Sequence, residues 1–195
     1  VVTMSVDWEH IPAKHRSLIK AFLDEADMSA DAIKTVDFPP AYGADIVVSC
    51  EKAKDPKNGS IYLKPTQFVL GIGCRRDTAF ENIDRAIRQS LLKLQIDISD
   101  IDMIVSIDVK KDEPGIKEFC ERNRIDFVTY TADELMAVQG EFSASQFVRE
   151  HVGVDNVCER AAVLACSREC NKAGELIYKK HKYDRVTVAA AKYPD

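Results

Sequence analysis

The sequence predicts an α/β protein, a three-layer arrangement in which a mostly parallel sheet carries helices on both faces, plus a small N-terminal α/β segment. Three observations carry this reading. From residue 67 onward, short runs of Val, Ile and Leu alternate with stretches whose apolar residues recur every three or four positions, the pattern of strands alternating with helices. Two strand-to-helix passages carry helix-start signals, Thr78 with Glu81 and then Pro114. Residues 1–65 have elements of their own, closed off by the polar stretch 51–59 and by Lys64-Pro65. The division expected is 1–65 and 66–195.

In the first part, residues 14–26 read as a helix with Leu18, Ile19, Phe22 and Leu23 inward, because these share one face. Phe38-Pro39-Pro40 is a break, since proline fixes φ and removes a donor. Strands are expected at 45–50 and 60–63, with a loop over 51–59. In the second part, strand 67–72 passes a glycine turn into helix 78–94, where Phe80, Ile83, Ile87, Leu91 and Leu94 align. Thr78 is expected to cap that helix and Glu81 to reach back to it. Strand 101–107 ends at Asp108, and an acidic turn leads to a helix with Ile116, Phe119 and Cys120 inward. Strand 125–130, a short helix at 132–138 and a loop at 139–144 follow, with Ser145 capping a helix over 146–152. Asn156 is expected to cap a helix running from Val157 to about 169, with Glu159 completing the box. Residues 175–179 and 186–191 read as a closing hairpin joined by the polar turn 180–185.

Apolar residues form 46% of the chain, enough for a core. Charged residues at 30% and a net charge of −5 fit a cytoplasmic protein and argue against general nucleic-acid binding, which needs a basic face. No apolar run approaches the length of a membrane span, and Val1 to Ser5 do not begin a signal peptide. The chain starts at Val1 rather than Met, as expected of a fragment or a trimmed start. Cysteines at 50, 74, 120, 158, 166 and 170 form no Cys-x-x-Cys pair, and histidines at 10, 15, 151 and 181 form no His-x-x-x-His. Reduced thiols and no protein metal site are therefore expected.

Ligands of such sheets bind beyond the carboxyl ends of the strands. That gathers the loops 71–76, 108–113 and 130–131, with the helix start at 156–158 closing the cleft. Arg75 and Arg76 carry fork-shaped donors suited to carboxylate or phosphate, beside a turn opened by Gly71 and Gly73. The functional reading is an anion site; the plain one is a sharp turn with solvated arginines. Position 76 is Arg where a dinucleotide fingerprint needs Gly, and no Walker pattern follows. Asp108, Asp112 and Glu113 either activate or orient water, or else cap the next helix and pair with an arginine. Cys74, beside two cations at a helix start, is either a lowered-pKa nucleophile or a small turn residue. Glu159 beside Cys158 is either catalytic or a cap, and Tyr130, Ser143 and Ser145 are further hydrogen-bond donors for a substrate.

Three ordered stretches, Gly71-Ile72-Gly73-Cys74-Arg75-Arg76, residues 106–115 and residues 154–164, resemble the C-terminal domain of the cobalamin-biosynthesis protein CbiG, the cobalt-precorrin-5A hydrolase family. The likeness covers about residues 67–193, residues 1–65 resemble the middle region of that family, and stand-alone CobE-type proteins are related. The resemblance implies hydrolytic opening of a lactone on a cobalt-precorrin, a polycarboxylate tetrapyrrole, with release of acetaldehyde in the anaerobic branch of cobalamin synthesis. It implies no cofactor beyond the substrate's own cobalt, and other enzymes of that pathway as partners. It assigns substrate contacts to Gly71, Gly73, Arg75, Arg76, Lys110, Asp112, Cys158 and Glu159, with Arg160 adding positive charge. Catalysis falls to Asp108, Glu113 and Cys74, with the backbone N–H groups of residues 73–75 facing the oxyanion. Asp77 and Arg160 depart from the family pattern, which usually has Gly and often Pro there. The alternative is a non-catalytic corrinoid-binding or carrier module of the same pathway.

Overall fold

The computed structural model describes residues 1–28, 33–40, 43–50, 59–143, 154, 156–170 and 172–194. The helix expected at 146–152 and its cap Ser145 lie outside the described residues. The chain divides into two compact units, Val1–Thr66 and Gln67–Pro194.

The first unit contains β1 (Val2–Val6), α1 (Ala13–Met28), β2 (Ile33–Val36), β3 (Ile46–Val48) and β4 (Ile61–Leu63). The strands form a parallel sheet in the order β2-β1-β3-β4. Sequence reading misses β1 and β2, although Val2-Thr3-Met4-Ser5-Val6 alternates with period two and buries Met4 and Val6. α1 buries a narrower stripe than its pattern suggests. Ile19 and Leu23 pack on Met4, Val6, Ile11 and Val48, whereas Leu18 and Phe22 are 61% and 50% exposed. The short strands offer too little apolar surface to cover all four.

The second unit runs β5 (Phe68–Cys74), α2 (Phe80–Leu94), β6 (Ile101–Ile107), α3 (Pro114–Asn123), β7 (Asp126–Tyr130), α4 (Ala132–Met136), α5 (Val157–Cys170), β8 (Glu175–Tyr183) and β9 (Val186–Lys192). Its sheet order is β7-β6-β5-β9-β8. β5, β6 and β7 are parallel, as strands joined through helices must be, and the β8–β9 hairpin adds an antiparallel edge to β5. The hairpin is longer than expected: both strands extend to a two-residue turn, Asp184-Arg185.

Alternation along each strand divides the core into two layers. From β5, Phe68, Leu70 and Ile72 join Ile83 and Ile87 of α2 and Ile116 and Phe119 of α3. Val69 faces the other way, toward Ala161, Ala162 and Ala165 of α5 and Leu135 of α4. Helices therefore cover both faces of this sheet. Full burial of a Leu, Ile or Phe here stabilises by about 2 kcal/mol, before the entropy of ordering is subtracted. The α5 face is built from small residues, which brings helix and sheet backbones close. A Cβ on Gly71 would lie 1.8 Å from the Cys158 carbonyl oxygen.

Candidate functional site

β5 does not end at its glycines. It continues through Cys74, with Gly73 opposite Thr187 and Cys74 opposite Val186 of β9. Gly71 is buried under α5, and a Cβ on Gly73 would meet Thr187 Oγ1 at 2.6 Å. Gly71 thus serves the packing of α5 on the sheet and Gly73 the contact with β9, which corrects the expectation of a glycine turn. The turn itself is 75–79. There Asp77 adopts a left-handed backbone (φ 56), a conformation that glycine takes without steric cost.

Thr78 does not cap α2. Its hydroxyl donates to the Arg75 carbonyl (2.6 Å), and the cap residue, Ala79, makes no side-chain bond. The turn is braced from two neighbours instead. Asp77 N–H donates to Glu113 Oε1 (2.5 Å), and Lys110 Nζ donates to Glu113 Oε2 (3.4 Å). Gly115 lets α3 approach, since a Cβ there would meet the Thr78 carbonyl oxygen at 2.4 Å. From the other side, Arg75 N–H donates to the Arg185 carbonyl (3.0 Å) and Arg185 Nη2 donates to the Arg76 carbonyl (2.9 Å). Asn82 Nδ2 reaches Asp184 Oδ2 (3.0 Å).

These contacts sort the sequence candidates. Arg75 and Arg76 are exposed, and their guanidiniums make no hydrogen bond or ion pair with any described residue. Asp108 begins a short 3-10 turn at the carboxyl end of β6, half-buried, and its carboxylate also has no partner among the described residues. Asp112 is exposed, and Glu113 rather than Asp112 stands at the cap position of α3, where its side chain makes no bond to the helix's own N–H groups. Glu113 is 7% exposed with both oxygens engaged, so it ties two loops together. The Arg75 N–H is likewise committed to Arg185, which removes it from an oxyanion role.

Cys74 is not activated. Burial pushes its thiol up to about 11; Lys110 and, more weakly, Arg185 favour the thiolate but do not offset that burial. Cys158 is pushed up to about 12, again mainly by burial, and is 1% exposed.

The start of α5 is a closed polar cluster. Asn156 Oδ1 accepts the Glu159 N–H (3.0 Å), the cap that was expected. Glu159, fully buried, does not complete a box. Its carboxylate accepts the N–H of Ser143 (2.9 Å), the hydroxyl of Ser143 (2.9 Å) and the N–H of Lys180 (2.6 Å). Lys180 lies where the β8 register shifts between Tyr178 and His181, and the irregular ladder there turns its N–H toward the carboxylate. Arg160 donates to the carbonyls of Leu135 (3.3 Å) and Val138 (3.1 Å) and stacks 4.6 Å from the Phe142 ring, so it closes α4 rather than facing a ligand. Tyr130 is buried against Arg168, 4.9 Å from its ring centre. Cys158, Glu159, Arg160, Ser143 and Tyr130 therefore each take part in the packing or hydrogen bonding of the domain.

Arg185 is the residue that sequence reading missed. Sequence reading placed it only within the polar turn 180–185; its two-residue hairpin turn and left-handed backbone (φ 62) emerge from the fold. An open groove of about 540 Å³ lies elsewhere, along α3 and the start of β7, lined by Lys111, Lys117, Cys120, Glu121, Arg124 and Asp126 among others, and does not include Arg75 or Arg76. No group of three or more His, Cys, Asp or Glu among the described residues is arranged to hold a metal. No helix among them is long and apolar enough to cross a membrane.

A mixed α/β domain with two solvent-facing guanidiniums beyond its first sheet strand is thus in place. Residues 68–191 match the family described as cobalamin synthesis G C-terminus, and the chain belongs to that family. It is 38% identical over 102 residues to a cobalt-precorrin-5A hydrolase of Salmonella typhimurium, covering 52% of this chain and 29% of that protein. It is 30% identical over 138 residues to a cobalt-precorrin-5A hydrolase of Priestia megaterium, covering 71% of this chain and 35% of that one. The chain therefore spans about a third of these curated relatives. The crystal structure of CobE, a protein of the cobalamin (vitamin B12) biosynthetic pathway, superposes with a TM-score of 0.62 at 25% identity, covering 66% of this chain and 91% of that one.

Proposed function

We propose that the Gln67–Pro194 unit is the substrate-gripping part of a cobalt-precorrin-5A hydrolase of cobalamin biosynthesis, working in the cytoplasm. In this reading the enzyme opens the lactone of a cobalt-bearing tetrapyrrole with water and releases acetaldehyde. The observation that carries it is the pair Arg75 and Arg76, exposed and without an internal partner among the described residues, inside the matched region. The substrate carries acetate and propionate carboxylates around its rim, and a chain of net charge −5 must gather positive charge locally to hold them. The cobalt arrives with the substrate, the chain supplies no cofactor, and the product passes to other enzymes of the pathway.

Asp108 is the group assigned to the attacking water. It directly follows β6, the strand beside β5, and its carboxylate oxygens remain available, whereas Glu113 is engaged and burial favours the thiol of Cys74. The test is acetaldehyde release from cobalt-precorrin-5A. Asp108→Asn is expected to lower kcat about a hundredfold with KM little changed. Arg75→Ala/Arg76→Ala is expected to raise KM about tenfold or more. An unchanged kcat in Asp108→Asn removes that residue from the reaction.

A second reading, a non-catalytic corrinoid-binding or carrier module, is favoured by one observation. The CobE chain is matched over 91% of its length by 66% of this chain. That reading expects the same loss of affinity in the double arginine variant, and no acetaldehyde from any form of the protein.

A further inference from the structure

We propose that Arg185, in the turn of the closing hairpin, is the positioning residue that sets the Arg75-Arg76 loop for a polycarboxylate ligand. The inference rests on the anion-grip reading above and extends it to a residue outside the three motifs that carry the family resemblance. Arg185 meets the loop twice. Its carbonyl accepts the Arg75 N–H (3.0 Å), and its Nη2 donates to the Arg76 carbonyl (2.9 Å). The two peptide units that carry the gripping side chains are thereby fixed from the β8–β9 side, while Glu113 holds Asp77, the next residue, from the β6–α3 side.

The choice of residue strengthens the case. Asp184-Arg185 is a two-residue turn, and Arg185 is left-handed at φ 62. Glycine takes that conformation without steric cost, and an L-residue bears about 1 kcal/mol. The backbone half of the contact, Arg75 N–H to the carbonyl, would survive in glycine. Only the guanidinium bond to the Arg76 carbonyl requires arginine. A strained position kept by a long cationic side chain points to what the side chain does.

The experiment measures calorimetric affinity for cobyrinic acid, a cobalt corrinoid with free carboxylates, against its neutral methyl ester as control. The forms compared are wild type, Arg185→Gly, Arg185→Lys, the Arg75→Ala/Arg76→Ala double variant and the triple variant. Arg185→Gly is expected to weaken acid binding about tenfold with Tm unchanged or slightly raised, and Arg185→Lys to restore part of it. In the double-variant background, Arg185→Gly is expected to add nothing, because it acts through the two arginines. If the double variant loses affinity and Arg185→Gly does not, the positioning role is overturned and the grip stands. If Arg185→Gly still weakens binding in the double-variant background, Arg185 touches the ligand itself and the role assigned here is wrong. If the double variant binds like wild type, the grip reading fails, and this inference with it.

Discussion

The β5–α2 turn and the start of α5 invite the same reading in the sequence, and the structure treats them in opposite ways. Both are loop-to-helix passages rich in polar and charged residues, and both belong to stretches shared with the family. At the first, Arg75 and Arg76 end in solvent without an internal partner among the described residues. At the second, Asn156, Cys158 and Glu159 are at most 1% exposed, and the carboxylate of Glu159 is saturated by three donors. A polar group whose hydrogen bonds are closed inside the protein cannot turn to a substrate without leaving its former partners buried and unsatisfied, at about 1–3 kcal/mol each. The matched region therefore contains two segments of different kinds. One segment holds the domain together, and the other leaves two guanidiniums in solvent, where the proposed grip would use them.

That contrast can be broken or sharpened by substitution. The largest effect is expected from Glu159→Ala, which strands the N–H groups of Ser143 and Lys180 in the interior and should cost about 4 kcal/mol in chemical denaturation. A cost below about 1 kcal/mol would mean that α5 is no clamp. Gly71→Ala should follow at about 3 kcal/mol, because the Cys158 carbonyl is backbone and moves only with the whole helix.

Cys74 sharpens the comparison through pH. Its pKa is raised, so the stability gained by keeping it a thiol is fully present below the ordinary value of 9.0 and is lost as pH rises toward about 11. Wild type should lose more stability than Cys74→Ser between those values, and alkylation of Cys74 should have its midpoint near 11. A midpoint below 8 would restore the activated-nucleophile reading.

At the loop, Arg75→Ala/Arg76→Ala should leave folding stability within about 0.5 kcal/mol of wild type, although it removes two charges. A larger loss would show that these side chains bear on the fold. The smallest effect is expected from Asp77→Gly. Relief of the left-handed strain and the greater freedom of the unfolded chain nearly cancel, so denaturation should shift by about 0.5 kcal/mol or less.

Much of the second unit was legible because local pattern and tertiary role agree there. The apolar positions of α2 and α3 and the boundaries of β6 follow from periodicity, and Pro114 stands at the first position of its helix. Asn156 caps α5 as a local rule requires. Other readings failed where a distant segment competes. Thr78 donates to the Arg75 carbonyl, and α2 starts only at Phe80 with Ala79 at the cap position, so the hydroxyl belongs to the turn and not to the helix. Glu159 turned to Ser143 and Lys180, which lie 16 and 21 residues away along the chain. The glycines of β5 looked like turn residues, but their reason is the backbone of α5 and the side chain of Thr187.

The amino-acid order alone determined the alternation of strands and helices in the second unit, the one-sided faces of its helices and the placing of Arg75 and Arg76 just past a strand. Each of these depends on residues within a turn or two of one another, where spacing and local sterics suffice. Tertiary structure decided which polar groups remained available. Asp108 was left with open oxygens while Glu113, Glu159 and Arg160 were taken up inside, and Arg185 was brought to the arginine turn from 109 residues away. The physical reason is that a hydrogen-bonding group is satisfied by whichever partner the folded chain brings within reach, and that partner is often remote in sequence.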